Sequence, residues 1–389
     1  MSKMLKLVTA AATAIVAASS LATAMAADAK LPKSMIWSAY DLGASGYAEA
    51  SGIANALQKK YPTRIRIVPA GTSIGRLLPM TTGKVSYGYL ANEVFFATEA
   101  LYDFATQAWG PQNLRIVLGR PATVALAVAK DTGVKKIADL RGMRIGYVKG
   151  NPSVNVKNDA YLAFGGLSRK DIKEVWFGSY RAMKDAVLAG QLDAFGSVTT
   201  SSNMRQIEAS PRGLIWPPFE PENKAGWAAI RKVVSFMEPV KETKGAALSE
   251  ENPVWLMGYR YPMITTYART SADEVYNLVK AIDETYEMYN KTTSSSVNWA
   301  VERSGRPPAD APWHEGSIRY AKEKGYWTKE DQAWHDARLA RLNKVIETWD
   351  KASEAFDQMR IAKTAEGVKV DAEEAWPAWW QKARDEYLK

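Results

Sequence analysis

Short runs of β-branched and aromatic residues alternate with helical patterns from about residue 33 to residue 220. Lys33–Ser38 predicts a first strand, and a polar Gly/Ser loop over Tyr40–Tyr47 follows it. Ala50, Ile53 and Leu57 then recur at the spacing of one helical face. Because strand, loop and helix repeat in this order, the sequence predicts an α/β protein with largely parallel sheets.

The alternation restarts after residue 119, which predicts two lobes. Two apolar runs, Leu114–Leu118 and Thr123–Ala129, are predicted as separate strands, and the residues between them, 119–122, as a hinge that crosses from one lobe to the other. The other predicted strands are Arg64–Val68, Tyr87–Leu90, Arg144–Val148, Glu174–Phe177 and Leu192–Gly196. We therefore expect residues 27–119 in the first lobe and residues 120–235 in the second.

Long helical patterns replace the alternation after residue 240, so we expect residues 236–389 to return to the first lobe and to add a helical extension. Pro377 is predicted at the first position of the last helix, where its missing N–H is not needed. Eight of the fourteen Trp residues lie beyond residue 290. We expect these to pack the helices onto the lobes, since buried Trp contributes strongly to core energetics; a partner-docking surface is the alternative. The predicted patterns are Ala272–Asn290, Ser317–Lys324, Lys329–Met359 and Pro377–Leu388.

The N-terminal segment has the features of a secretory signal peptide. Lys3 and Lys6 precede an apolar run over Leu7–Ala18, and Ala24-Met-Ala26 has the small-x-small pattern of a cleavage site. The run is shorter than the ~20 apolar residues that a membrane span needs, although an uncleaved anchor is the alternative. The sequence thus predicts a signal over residues 1–26, cleavage after Ala26, and a mature periplasmic protein that is not inserted in the membrane.

Composition excludes several classes of chemistry. The chain has no Cys, which removes disulfide scaffolds, thiolate nucleophiles, iron–sulfur clusters and Cys-based zinc sites. Its formal net charge of +9 is a mild excess for 389 residues, and no basic block with interleaved aromatic residues occurs, which disfavours nucleic acid as a partner.

The sequence offers no convincing nucleophile, metal or cofactor motif. His314 and His335 do not have the spacing of a metal site, Gly43-Ala-Ser45-Gly46 lacks the Gly-x-Ser-x-Gly spacing, and the Ser-x-x-Lys, P-loop and Gly-x-Gly-x-x-Gly patterns are absent. We therefore expect a protein that is not an enzyme and that uses no metal or cofactor. An exported enzyme on the same scaffold is an alternative, with Glu93 or Asp41 as a lone base.

Five polar segments each follow a predicted strand and open a predicted helix. In open α/β sheets ligands bind at the carboxyl ends of the strands, where helix N-termini offer unpaired N–H groups. Ordinary caps and tight turns would explain any single segment, but five together favour a binding cleft between two lobes. The segments are Tyr40–Tyr47, Gly71–Ser73, Ala91–Glu93, Lys149–Ser153 and Thr199–Ser202.

Several of these segments resemble the TAXI-type solute receptors of TRAP transporters, over about residues 36–215. The resemblance rests on Gly43-Ala-Ser-Gly46-Tyr47, Pro69-Ala-Gly71-Thr-Ser-Ile-Gly75-Arg-Leu-Leu78, Leu114-Arg-Ile116, Val128-Ala-Lys130-Asp131-Thr-Gly133-Val134, Ile137-Ala-Asp-Leu-Arg-Gly142-Met-Arg-Ile145 and Gly190-Gln-Leu-Asp193-Ala-Phe195. Two departures are the interrupted first Gly loop, at Leu42 and Ala44, and Ala91-Asn-Glu93 in place of a Gln-x-Asp.

The resemblance implies a two-lobed periplasmic binding protein fold with a hinge and an added C-terminal helical region. It also implies that the lobes close on a small organic acid, such as an amino acid or a dicarboxylate, and deliver it to TRAP membrane subunits. The ligand-binding residues carried over from it are Ser45 and Tyr47, in the loop with Gly46, and Thr72 and Ser73.

Position alone adds further candidate ligand-binding residues. From the first lobe these are Tyr40, Asn92 and Glu93, and from the hinge and second lobe they are Arg120, Lys149, Asn151, Ser153 and Thr199. A guanidinium offers a carboxylate two parallel hydrogen bonds, so Arg120 is the first choice for the solute's acid group and Lys149 the second.

Two other functions use the same fold. One is the solute-binding subunit of an ABC importer, and the other is a periplasmic sensor or scaffold that uses the Trp-rich helices as a partner surface. We expect a monomer in each case.

Overall fold

The computed structural model describes residues 28–388, so the predicted signal segment lies outside the described residues. The strands are β1 (Ser34–Ala39), β2 (Arg64–Pro69), β3 (Tyr87–Leu90), β4 (Leu114–Ala129), β5 (Arg144–Val148), β6 (Lys173–Phe177), β7 (Ala194–Ser197), β8 (Leu214–Ile215), β9 (Glu238–Glu242) and β10 (Val254–Tyr267). The helices are α1 (Ser45–Lys60), α2 (Ser73–Thr81), α3 (Glu93–Thr98), α4 (Pro152–Phe164), α5 (Tyr180–Leu188), α6 (Ser202–Glu208), α7 (Lys224–Val233), α8 (Ala272–Glu284), α9 (Tyr286–Tyr289), α10 (Val301–Ser304), α11 (Glu315–Glu323), α12 (Lys329–Ala365) and α13 (Ala372–Tyr387).

The strands form two α/β lobes that share β4. In lobe I the order is β2-β1-β3-β10-β4, with β1 parallel to β2 and β3, and with β10 antiparallel to β3 and β4. In lobe II the order is β4-β7-β5-β6, with β5 parallel to β6 and β7, and with β4 antiparallel to β7. The predicted fold class, α/β with two lobes, is confirmed.

Strand β4 corrects the prediction of two separate strands. Leu114–Ala129 is one strand of 16 residues, and β10 remains its partner from Leu114 to Val124. The pairing shifts in register opposite Gly119 and Pro121, which lets the strand accommodate a Pro that has no N–H to donate. Beyond Val124 the partner of β4 becomes β7 of lobe II. The predicted hinge residues are thus part of a continuous strand.

Strands β9 and β10 were not predicted, because only helical patterns were assigned after residue 240. Most residues of β10 are buried and the strand is nearly continuously apolar, so it lacks the alternation that marks a half-exposed strand. The last helix also starts earlier than predicted. Asp371 accepts hydrogen bonds from the backbone N–H groups of Glu373 and Glu374 and caps α13 there, so Pro377 lies inside the helix.

The extension packs onto lobe I through a Trp cluster. Trp376 and Trp380, each 1% exposed, meet the ring of Trp349 edge to face at 4.7 Å between centroids. Their indole N–H groups donate to the backbone oxygens of Ala105 and Ala100, both at 2.8 Å. These Trp residues therefore pack the helices, as predicted. Among residues 28–388, no helix combines the length and the apolar character needed to cross a bilayer.

Candidate functional site

A small cavity lies between the lobes, at the carboxyl ends of the strands. Lobe I contributes the polar side chains of Tyr40, Asp41 and Arg76 to its lining, β10 contributes Tyr261, and lobe II contributes Asn151, Ser153, Lys157, Tyr180, Ser197 and Ser201.

The two lobes are closed against each other at one end of the cavity. The hydroxyls of Ser201 and Ser202 donate to the backbone oxygen of Gly43 at 3.1 and 2.8 Å. The backbone N–H of Tyr180 donates to the oxygen of Gly71 at 3.2 Å. Loops from opposite lobes therefore hold each other across the cleft.

Helix N-termini also hold the lobes together. Thr72 caps α2 by accepting from the N–H of Gly75 at 2.9 Å, so Thr72 is the cap rather than Ser73. The Ser73 hydroxyl is then free to donate to Oδ1 of Asn151 at 2.8 Å in lobe II. Asn151 also caps α4. One amide side chain thus joins the two helix N-termini.

An ion pair forms part of the lobe I wall. Arg76 donates from Nη2 to Oε1 of Glu93 at 2.7 Å, and the two side chains are 3% and 0% exposed. The guanidinium also stacks on the Tyr40 ring at 4.1 Å, and burial raises the pKa of Tyr40 well above its usual value. The charge of Arg76 is therefore balanced inside the protein.

Lys157 brings a second cation to the cavity from α4. Its Nζ donates to Oδ1 of Asn92 at 3.0 Å, to the hydroxyl of Ser153 at 3.2 Å and to the hydroxyl of Tyr259 at 3.2 Å. These partners are all uncharged. Burial lowers the pKa of Lys157 to about 8, because a desolvated ammonium is disfavoured.

Several buried polar atoms near the cleft have no partner among the described residues. They are the hydroxyls of Tyr40 and Ser45, Nδ2 of Asn92 and Oε2 of Glu93. Buried polar groups are nearly always hydrogen-bonded in folded proteins, so these atoms are places where water or a bound molecule can supply the missing partner.

The structure brings many of the predicted ligand-binding residues to the cleft. Tyr40, Asn151 and Ser153 line the cavity. Ser73, Asn92 and Glu93 are fully buried and bond to residues that line it. Ser45, Gly46 and Tyr47 form the first turn of α1 rather than a loop, and a Cβ at Gly46 would lie 2.4 Å from the Tyr40 ring.

The structure places Arg120 elsewhere, which corrects the expectation for the acid-binding residue. Its guanidinium bonds to both carboxylate oxygens of Glu49, at 2.6 and 2.8 Å, and both side chains are almost fully buried. A buried guanidinium needs such a partner. Thr72, Lys149 and Thr199 also lie outside the cavity lining, as do Ser45, Gly46 and Tyr47. Thr72 is a helix cap, Lys149 is exposed, and the hydroxyl of Thr199 donates to the oxygen of Lys244 at 2.7 Å.

Sequence reasoning missed Arg76 and Lys157, the two cations of the cavity. Arg76 lies within the segment 69–78 that carries the family resemblance, but its role was not assigned. Lys157 lies one helical turn beyond Ser153, so the spacing of four residues puts both on one face of α4. Tyr261 was missed because β10 was not predicted.

Both histidines have structural roles. His314 caps α11 by accepting from the N–H of Gly316 at 3.2 Å, and Nδ1 of His335 accepts from the N–H of Trp313 at 3.1 Å. Burial lowers the pKa of both rings. Within residues 28–388 no group of three or more His, Asp or Glu side chains is placed to hold a metal ion.

The fold and the closed cavity are those of a two-lobed clamp. Residues 43–325 match the NMT1-like family, and the chain belongs to that family. The narrower resemblance to TAXI-type receptors stays a prediction. No curated protein matches the chain.

Solved structures with a similar fold share little sequence with the chain. The alkanesulfonate-binding protein SsuA of Xanthomonas axonopodis pv. citri, bound to MOPS, is 16% identical over 76% of this chain and 92% of its own, with a TM-score of 0.38. A protein of Bordetella bronchiseptica RB50 is 16% identical over 92% of this chain and 99% of its own, with a TM-score of 0.44. The methionine-binding protein MetQ is 13% identical over 68% of this chain and 97% of its own, with a TM-score of 0.41.

Proposed function

We propose that the protein is a periplasmic solute receptor that captures a small organic acid between its lobes and delivers it to the membrane subunits of a TRAP-type secondary transporter. The observation that carries the proposal is the enclosed cavity between the lobes, which polar side chains from both lobes line. The TRAP assignment rests on the sequence resemblance alone. The protein performs no reaction in this proposal.

Closure couples binding to delivery. A solute that contacts both lobes binds the closed form more tightly than the open form, and so it shifts the protein toward closure. The side chains that line the cavity come from both lobes, for example Arg76 from lobe I and Asn151 from lobe II. The membrane partner can then distinguish loaded from empty receptor by the relative position of the lobes.

A thermal-shift screen tests solute binding. The purified protein is heated with amino acids, dicarboxylates, aromatic acids and sugar acids, each beside its neutral amide or alcohol. A solute present at ~1,000 times its dissociation constant stabilises by roughly 4 kcal/mol, which moves the midpoint by several degrees. We expect an acid to shift the midpoint and its neutral counterpart not to. A flat panel, repeated after the protein has been unfolded and refolded to remove bound solute, contradicts the proposal.

The energy source for uptake distinguishes the two kinds of transporter. The receptor and its membrane partner are placed in vesicles, and uptake of the solute found in the screen is measured. Uptake that needs a sodium gradient and no ATP supports the TRAP assignment. Uptake that needs ATP inside the vesicle and no sodium gradient identifies an ABC importer.

A further inference from the structure

We propose that Lys157 is the residue that selects an acid, by binding the solute's anionic group in the closed cavity. This inference rests on the proposed function and adds to it the residue and the charge that set specificity. The candidates from the sequence for that role were Arg120 and Lys149, and neither lines the cavity.

Among the described residues, no carboxylate lies within ion-pair distance of Lys157. Arg76 is neutralised by Glu93 in a buried pair at 2.7 Å. Asp41 is partly exposed at the edge, where water screens its charge, and it accepts a long hydrogen bond from the N–H of Arg181 at 3.4 Å. Lys157 is 6% exposed, and it takes part in none of the ion pairs among the described residues.

The contacts of Lys157 join the lobes at the point where a solute would lie. Asn92 belongs to lobe I and Ser153 to lobe II, and both bond to Nζ and to each other. Nδ2 of Asn92 has no partner, so a second donor is available beside the ammonium. A buried cation that no carboxylate contacts is costly, and a carboxylate, sulfonate or phosphate group offsets that cost where a neutral solute does not.

Proton uptake separates this role from a merely structural one. The pKa of Lys157 is about 8, and a bound anion raises it, so binding above that pH draws a proton from the buffer. The charged groups that face Lys157 are Glu93 on α3, Arg76 on α2 and Asp310 in the segment before α11, and Tyr259 faces it from β10. Burial raises the pKa of Asp310 to about 7, so Lys157→Arg is needed to separate proton uptake by Lys157 from proton uptake by that carboxyl.

Titration calorimetry at pH 8.5, in Tris and in bicine, measures affinity and proton uptake together. The probes are succinate, L-glutamate, benzoate and gluconate, and the variants are Lys157→Met and Lys157→Arg. Lys184→Met is the matched control, because Lys184 is also 6% exposed but pairs with Asp185 at 2.6 Å away from the cavity. Thermal melts confirm that each variant folds.

We expect the wild type to take up a proton when it binds its acid. Lys157→Met weakens binding by about tenfold or more, the scale of a charge-assisted contact. Lys157→Arg keeps the charge and binds without proton uptake, and Lys184→Met behaves as the wild type. Unchanged affinity in Lys157→Met, or proton uptake that persists in Lys157→Arg, overturns this inference and leaves the proposed function standing. If none of the acids binds the wild type, both fail.

Discussion

The ion pair between Arg120 and Glu49 is a structural element of lobe I. Glu49 is 1% exposed and accepts two further hydrogen bonds, from the hydroxyl of Thr293 at 3.0 Å and from the indole N–H of Trp299 at 2.8 Å. The pair thus ties β4 and α1 to the segment that precedes α10. Removing one partner of a buried pair leaves the other charge uncompensated.

Arg120→Ala therefore destabilises the protein. We expect a loss of about 3–5 kcal/mol in the free energy of unfolding, measured by urea denaturation. The double variant Glu49→Leu with Arg120→Met removes both charges, so it should recover most of that loss. If the Arg120→Ala protein instead has wild-type stability but binds solute weakly, Arg120 contacts the solute and is not a structural residue.

Burial of Lys157 makes the stability of the solute-free protein depend on pH. The amine has a pKa of about 8 in the folded protein, compared with 10.5 as the usual value, so the unfolded chain binds more protons between these limits. The free energy of unfolding therefore rises with pH in that window. Below pH 8 the full cost of burying the charged amine, about 3 kcal/mol, is present.

Lys157→Met removes that cost. We expect the free energy of unfolding of the variant to be higher by up to about 3 kcal/mol at pH 7. The gain is smaller to the extent that Asn92, Ser153 and Tyr259 lose the hydrogen bonds they accept from Lys157. The gain should shrink as the pH rises from 8 to 10.5. Urea denaturation of both proteins across this range measures the difference, and a difference that does not change with pH would contradict the assignment.

At the scale of elements, one carboxylate holds both long C-terminal helices to lobe I. Glu99 is 3% exposed, and it pairs with Arg338 at 2.7 Å, with Arg341 at 2.8 Å and with Arg384 at 3.4 Å. These arginines lie on α12 and α13, and Glu99 follows α3, which carries Glu93 of the cleft wall. The extension therefore supports the part of lobe I that faces the cavity.

Glu99→Gln should loosen α13. Although burial opposes ionisation, the arginines hold the pKa of Glu99 at about 2, below the usual 4.5. The resulting stabilisation, about 3 kcal/mol, is present above pH 4.5 and is lost as the pH falls through 2. Hydrogen exchange should show faster opening of α13 in the variant at pH 7. Glu347→Gln is the control, since Glu347 is 65% exposed and forms its ion pair with the exposed Lys351.

The sequence predicted elements well where patterns were local. Tyr87–Leu90 and Arg144–Val148 form strands with the predicted bounds. The predictions were wrong for β4 and β10, because each of these strands is stabilised by pairing with the other. Pro121 suggests a break, and it is tolerated only because β10 shifts register opposite it. Such a compensation comes from a distant segment and cannot be found by reading either segment alone.

At the scale of the whole molecule, Gly71 sets how closely the lobes approach. A Cβ at this position would lie 2.9 Å from the Cβ of Ser179 in lobe II and 2.6 Å from Oδ2 of Asp41. Gly71 also accepts the hydrogen bond of Tyr180 across the cleft. Only a residue without a side chain permits this contact.

Gly71→Val should keep the lobes apart. We expect a larger radius of gyration in small-angle X-ray scattering than for the wild type, and weaker solute binding, with the unfolding free energy little changed. Gly178→Val is the matched control, because a Cβ at Gly178 meets no atom within 4 Å. A closed Gly71→Val protein would contradict the idea that this approach limits closure.

The location of the site was easier to predict than its charges. The polar segments at strand ends meet between the lobes because parallel strands bring their carboxyl ends to one edge. Which cation faces the solute depends on which cations already have buried partners. Arg120 and Arg76 both have one, in Glu49 and Glu93, whereas Lys157 does not. These pairings join residues 71 and 17 positions apart, and no local pattern in the sequence indicates them.

The continuous pairing of β4 with β10 determines how the clamp can open. Because the two strands stay hydrogen-bonded to each other, a change in the angle between the lobes must be distributed over many residues of both strands. A side chain also holds the paired strands where their register shifts. There the Arg260 guanidinium donates to the backbone oxygens of Gly119, Arg303, Pro307 and Pro308. We therefore expect opening to be a bend that these contacts restrain, and not a free rotation of one lobe against the other.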